Sequence, residues 1–377
     1  MRTLLLLLLI GCLGTPSLAQ EDPFVRCTRC QNRGMRICKE HKKDDCELEL
    51  NARYCTLFGE CEACHGLGWS DCGDCENPPV EARLAKKLAE RDSLREGLEH
   101  YSKDMGRPLG LAQSEHFVLL MEVEVAKVDK KKLRKHALLH LYLDRLEQLF
   151  RDYSRQLHLT DEEFSKTTTV LIWGRMDEHL QASTRYTGQQ ADGGVKLMGI
   201  RPVYSIASVP RLFPNDEQLH RNVMHNVTHL LLSSQSPIHW FGNRKGGWAD
   251  EGLAHWFEDY YFQVCDNYCF QESDTSGEFK GGKWKPGLRK ELAADSQRLL
   301  PALFEQNTDT LDLYQHALSF SLVDYLMTTD GELLNKLFVE MRKKLSTRDA
   351  LKKVYGISVL ALEDRWREWV QETYPSR

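Results

Sequence analysis

His225-Asn226-Val227-Thr228-His229, with Glu251 further on in Trp248-Ala249-Asp250-Glu251-Gly252-Leu253-Ala254, are residues whose types and spacing could do chemistry. Histidines four apart share one face of a helix, so both imidazoles can reach a single metal ion. A carboxylate on a following helix completes a three-ligand site whose fourth position stays open to water. Making that water a nucleophile requires a neighbouring carboxylate to take its proton. The residue after the first histidine would stand there, and it is Asn226, whose amide can hold a water but cannot accept its proton. Losing a positioned general base costs roughly 10²- to 10⁴-fold in rate. Asp250 and Glu258 are the nearby carboxylates, and nothing in their spacing recommends either as a substitute. With 14 histidines in 377 positions, roughly half an HxxxH pair is expected by chance, so the weight rests on the apolar helix and the acidic block that accompany this one. His255, one turn after Glu251, could orient a ligand from behind, but the favoured expectation is that it caps an aromatic face beside Trp256; Glu258 is expected to be a solvated charge, and His220 to lie on another helix face.

Cysteine spacing is the second chemical signal. Cys27-Thr-Arg-Cys30, Cys61-Glu-Ala-Cys64 and Cys72-Gly-Asp-Cys75 are CxxC pairs, and Cys38-Lys-Glu-His41 is a CxxH. Each presents two ligands to one tetrahedral ion, so four such knuckles suffice for two closed zinc sites. A disulfide framework is the competing reading for an exported chain; four knuckles in series favour zinc. Cys46 and Cys55 fall outside the knuckles and invite a disulfide, as do Cys265 and Cys269. The segment Cys27 to Cys75 resembles the cysteine-rich zinc domain of DnaJ-type co-chaperones, which repeats CxxCxGxG. That resemblance implies one ion held by the outer knuckles, Cys27, Cys30, Cys72 and Cys75, and another held by Cys38, His41, Cys61 and Cys64. The chain departs from the pattern at the CxxH and after Cys30, where Gln31-Asn32-Arg33-Gly34 lacks the first glycine.

Composition is that of a globular protein, 41% hydrophobic and 28% charged with a formal net charge of -5, which offers no nucleic-acid signal. Arg2, the apolar run Leu4 to Ile10 and Ser17-Leu18-Ala19 read as a signal peptide over 1–19. Leu9-Ile10-Gly11-Cys12 is similar to the lipobox of bacterial lipoproteins, the alternative, which would lipidate Cys12. Either way the chain is expected to be bacterial and exported, periplasmic or extracellular, with no transmembrane segment. Asn226-Val227-Thr228 matches a glycosylation acceptor but is discounted inside a helix of such a chain.

These residues need elements to position them. Pro78-Pro79 closes the cysteine module at 27–75. A linker helix follows over 80–104, with Leu84, Leu88, Leu94, Leu98 and Tyr101 on one face. Phe117 to Val125 alternates like a half-buried strand, Lys131 to Leu157 reads as a long helix, and Thr167 to Trp173 as a strand. Val195 to Ile206 gives one or two more strands, Asn215 to Leu232 a helix, and from Gly252 to Val370 the pattern is almost wholly helical. The fold class is α+β: a small mixed sheet, then a helical C-terminal half.

Over 114–377 this order, with His225, His229 and the Trp248 to Ala254 block, resembles the gluzincin (peptidase-MA-like) metallopeptidases, which include aminopeptidase N-like and thermolysin-like enzymes. The resemblance implies His225, His229 and Glu251 as zinc ligands, a third ion beside the two of the cysteine module. It offers Tyr314 as a tyrosine that would steady an oxyanion. With Asn226 in place of the base, the expectation is an exported pseudopeptidase that binds a protein or peptide; the alternative is a working zinc hydrolase with an atypical base.

Overall fold

The computed structural model describes residues 27–40, 52–59, 61–164, 166–268, 279, 281–294 and 296–376. The expected leader over 1–19, with Cys12, and His41, Cys46 and Cys269 lie outside the described residues.

Two apolar runs make the centre. Phe117–Met121 (β5) and Thr168–Trp173 (β8) are buried at every position and lie parallel, with Phe117 opposite Thr168. Around them a six-stranded sheet runs in the order Tyr54–Cys55 (β2), Leu111–Gln113 (β4), β5, β8, Val203–Ala207 (β10), Val195–Leu197 (β9). β8 and β10 are parallel, while β2, β4 and β9 pair antiparallel. A parallel strand covered on both faces reads as a continuous apolar run. That is why β5 is wholly buried and ends at Met121, where a half-buried strand reaching Val125 was expected.

Successive residues serve opposite faces of the sheet. Leu119, Met121, Val170, Ile172 and Ile206 pack against Lys135–Leu157 (α3) and Asp216–Ser234 (α5), in a core shared with the C-terminal helices. Val118, Leu120, Leu171 and Trp173 pack against Leu98 and Tyr101 of Pro78–Met105 (α2) and Ala182 of Met176–Thr187 (α4). The expected linker helix is thus a layer of the domain. It is capped by the Asn77 side chain, which accepts from Val80 N–H, and ended by Gly106 in the left-handed region at φ 67°.

Two expectations are corrected. The lysine-rich stretch does not open a helix: Val125–Val128 (β6) and Lys131–Arg134 (β7) form a hairpin turning at Asp129, φ 52°, and the helix begins at Lys135. The cysteine-rich segment is not self-contained either. Its own small sheet pairs Met35–Ile37 (β1) with Trp69–Asp71 (β3), but β2 leaves it to join β4, Cys55 opposite Ala112, before the single turn Thr56–Gly59 (α1).

The C-terminal half comprises Gly247–Phe262 (α6), Trp284–Ala294 (α7), Leu300–Leu303 (α8), Leu313–Arg342 (α9), Thr347–Tyr355 (α10) and Val359–Thr373 (α11). The architecture is mixed α+β, with a small sheet, a helical C-terminal half and a cysteine cluster towards the N-terminus. Among the described residues no helix is long and apolar enough to cross a membrane.

Candidate metal centres

α5 starts where Asn215 accepts from Gln218 N–H, with Asp216 and Glu217 complementing the positive end of the helix. Three turns on, His225 and His229 point one way, their Nε2 atoms 3.2 Å apart. α6 packs on α5 and brings Glu251 between them: Oε2 lies 3.5 Å from His225 Nε2, and Oε1 3.5 Å from His229 Nε2. All three side chains are buried. Their donor atoms, all within 4.8 Å of one another, could hold a metal ion.

Two more imidazoles converge on the same carboxylate. His255, one turn after Glu251, and His316 of α9 each place a ring nitrogen 3.6 Å from Glu251 Oε2, and those nitrogens are 3.0 Å apart. Oε2 is nonetheless a buried oxygen with no hydrogen-bond donor. That is the position of an atom that would bind a cation. His255 does pack edge-on to an aromatic ring, that of Trp284 at 4.8 Å, while its Nε2 faces Glu251. Tyr314 lies two residues before His316, and its ring rests on Phe279 at 5.4 Å. Residues two apart project from opposite sides of a helix, and here it is His316 that joins the cluster.

The far nitrogens of the first pair meet carboxylates. Asp250 Oδ1 is 2.9 Å from His229 Nδ1, and its other oxygen accepts from Trp240 Nε1 and Thr308 Oγ1. Glu258 Oε2 sits 3.2 Å from His225 Nδ1 and 3.1 Å from His255 Nδ1, while Oε1 accepts from Asp266 N–H and Asn267 Nδ2. Glu258 is therefore a fully buried anchor and not the solvated charge expected of it. Carboxylates behind imidazoles fix ring orientation and raise ligand basicity. Burial opposes charge on His225, but Glu251 and Glu258 outweigh it and lift the ring to about 9. Burial likewise opposes charge on Glu258, yet His225 and His255 pull it down to about 2. His255 is pushed down to about 4, chiefly by burial.

Asn226 turns the other way. Its Nδ2 donates to the carbonyl of Asn222 in its own helix at 2.8 Å. At this position the centre has no proton acceptor; Glu258 is hydrogen-bonded to two imidazoles, and Asp250 Oδ1 lies 2.9 Å from His229 Nδ1 without a hydrogen bond to it.

Gly252 makes the arrangement possible. A Cβ there would lie 2.5 Å from the carbonyl oxygen of Ser319, so α6 can approach α9 closely enough to set His316 beside Glu251 only without a side chain. Gly252→Ala will cost about 1–3 kcal/mol by overpacking, despite alanine's better helix propensity. Denaturant unfolding checks this; an unchanged midpoint would show that the helices have room to separate.

The cysteine clusters are built from the knuckles. Cys27 and Cys72 sulfurs are 3.6 Å apart and those of Cys30 and Cys75 3.5 Å, and the four could hold one ion. Cys38, Cys61 and Cys64 form a second group, with 3.6 Å between Cys38 and Cys61. A disulfide would need about 2.05 Å, whereas sulfurs about 2.3 Å from a shared tetrahedral ion lie about 3.8 Å apart. Burial opposes ionisation of Cys30, but the N–H of Gly34 and bonds from neighbouring thiols bring it down to about 6. Gly66 takes φ 80° in the turn after Cys64, where a Cβ would strike the Arg91 guanidinium at 2.2 Å. Cys265, expected to pair with Cys269, carries a buried thiol that donates to the carbonyl of His255 at 3.4 Å.

No known protein family matches the chain, and neither does any curated protein.

Sequence reasoning does not foresee His316, nor Asp250 and Glu258 as neighbours of the imidazoles. His255 had a signal, lying four residues after Glu251 on the same helix. His316 had none, because only the packing of α6 on α9 brings it near.

Proposed function

We propose that this is an exported zinc protein: two ions in the cysteine-rich segment, one in a gluzincin-like domain that has lost hydrolysis and binds a protein or peptide instead. Zinc is the metal favoured by the donors, since thiolates and imidazoles suit it and not magnesium or calcium. In the His/Glu centre, His225, His229 and Glu251 would hold the ion, with Asp250 and Glu258 orienting the rings. A zinc in such a site supplies Lewis acidity, and the residues around this one are poorly suited to use it.

The observation that carries the reading is Asn226, whose amide is committed to the helix carbonyl of Asn222 where a proton acceptor is required. A second supports it. Hydrolytic zinc keeps one position for water, but His255 and His316 crowd the Glu251 oxygen that would face it.

For recognition there is a cleft of about 880 Å³ at the start of α5, lined among others by Tyr142, Arg145, Phe213, Asp216, His220 and Phe262. Its mixture of aromatic and ionic side chains fits an unstructured peptide. Zinc-loaded protein is expected to leave a tryptic digest of casein uncleaved, and Asn226→Glu alone is expected to stay inert because the two extra imidazoles remain. The labelled digest should bind the wild type, and Phe213→Ala should weaken that binding by roughly tenfold. Cleavage by the wild type that vanishes in His225→Ala would establish the hydrolase instead.

A further inference from the structure

We propose that Cys55, His136 and His140 form a further metal site, one that fastens the N-terminal cysteine-rich segment to the body of the domain. It shares no residue with the centres above and does not rest on their assignment.

His136-Ala137-Leu138-Leu139-His140 is a second HxxxH pair, in the first two turns of α3. The two Nε2 atoms converge to 3.0 Å, and Cys55 Sγ lies 3.8 Å from His136 Nε2. All three donor atoms are within 4.8 Å of one another. A tetrahedral ion with bonds of about 2.3 Å to sulfur and about 2.05 Å to nitrogen has edges of about 3.6 Å for S···N and about 3.3 Å for N···N. The His136–Cys55 and His136–His140 separations match these to a few tenths of an ångström. Hydrogen bonding alone would need the single His136 Nε2 to serve both the His140 ring and the Cys55 thiol, whereas a shared ion accounts for all three atoms at once.

The surroundings hold these groups in place. Phe58 packs edge-on to His136 at 4.5 Å and tilted over His140 at 4.7 Å. Arg91, a buried guanidinium, donates to the Cys55 carbonyl at 2.6 Å and lies over the Tyr54 ring. Among the described residues it has no carboxylate in ion-pair range, and a thiolate at Cys55 would supply the missing counter-charge. One thiolate and two neutral imidazoles suit zinc or a similar borderline divalent ion. The half-buried ring of His136 gives solvent access to a fourth position. The consequence is mechanical. β2 is only two residues long, and an ion bridging Cys55 to α3 would tie the strand that links the knuckles to the main sheet.

The test is the zinc content of wild type, His136→Ala, Cys55→Ser and His225→Ala, with a zinc-edge anomalous map of wild-type crystals. Each of the first two variants is expected to carry one ion fewer than wild type, and His136→Ala combined with His225→Ala two fewer. The map should show a peak among Cys55, His136 and His140. If His225→Ala loses nothing while His136→Ala loses one, the peptidase-like centre fails and this site stands. An unchanged count in folded His136→Ala would overturn the proposal. So would a wild-type map without that peak, which decides the matter even if the variants do not fold.

Discussion

Cys30→Ser will lose one metal ion per chain and open the cysteine-rich segment to protease. Few side chains are buried there among the described residues: Cys30, Cys38, Cys64 and Cys72 are themselves buried, in place of the leucines and valines of an ordinary core. So small a segment cannot bury enough apolar surface to hold its shape. On the zinc reading the ions would do so, since structural zinc supplies about 10–16 kcal/mol per site at neutral pH. Trypsin has ready targets at Arg29, Arg33, Arg36 and Lys39. Limited proteolysis should cut the variant at these positions at least tenfold faster than wild type, while residues 166 onward persist. Equal cleavage rates and equal metal content, with no titratable thiols in the wild type, would mean that the sulfurs are paired as disulfides.

The second large effect is expected at Glu251. Four imidazoles converge around or near this single buried carboxylate, and among the described residues no donor other than those rings stands within reach of its Oε2. Glu251→Gln keeps the shape and removes the charge. Breaking a buried ionic arrangement in this way costs about 3–5 kcal/mol, a fall in melting temperature of roughly 6–20 °C for a domain of this size. A ligand that binds only the folded state adds to stability, so added zinc should raise the melting temperature of the wild type by more than that of Glu251→Gln, which keeps only the sites elsewhere in the chain. Thermal unfolding with and without zinc measures both. A variant that melts with the wild type and gains equally from zinc would remove Glu251 from the centre.

How much of this was legible beforehand depends on how locally each feature is encoded. His225 and His229 are four apart on an apolar helix, and helical periodicity alone puts both rings on one side. The knuckles are similar: Cys27 and Cys30, Cys61 and Cys64, Cys72 and Cys75 are bound to their turns by spacing. Lys131 reads as a helix start because apolar periodicity carries no sign of a hairpin that reverses at Asp129. The second pair, His136 and His140, was printed in the sequence as plainly as the first. It does not announce a site, because its third donor, Cys55, lies far upstream.

By itself the sequence determined the ligand types, the pairs within each helix and knuckle, the absence of a base at Asn226, and an α+β order of elements. Those follow from short-range geometry, which a few residues impose on themselves. The tertiary structure alone decided that Glu258 is a buried anchor, that His316 meets Glu251, and that Cys55 belongs to the main sheet. Each of these depends on how closely two distant elements approach, and that distance is set by packing, as at Gly252, where the lack of a side chain lets one helix rest on another.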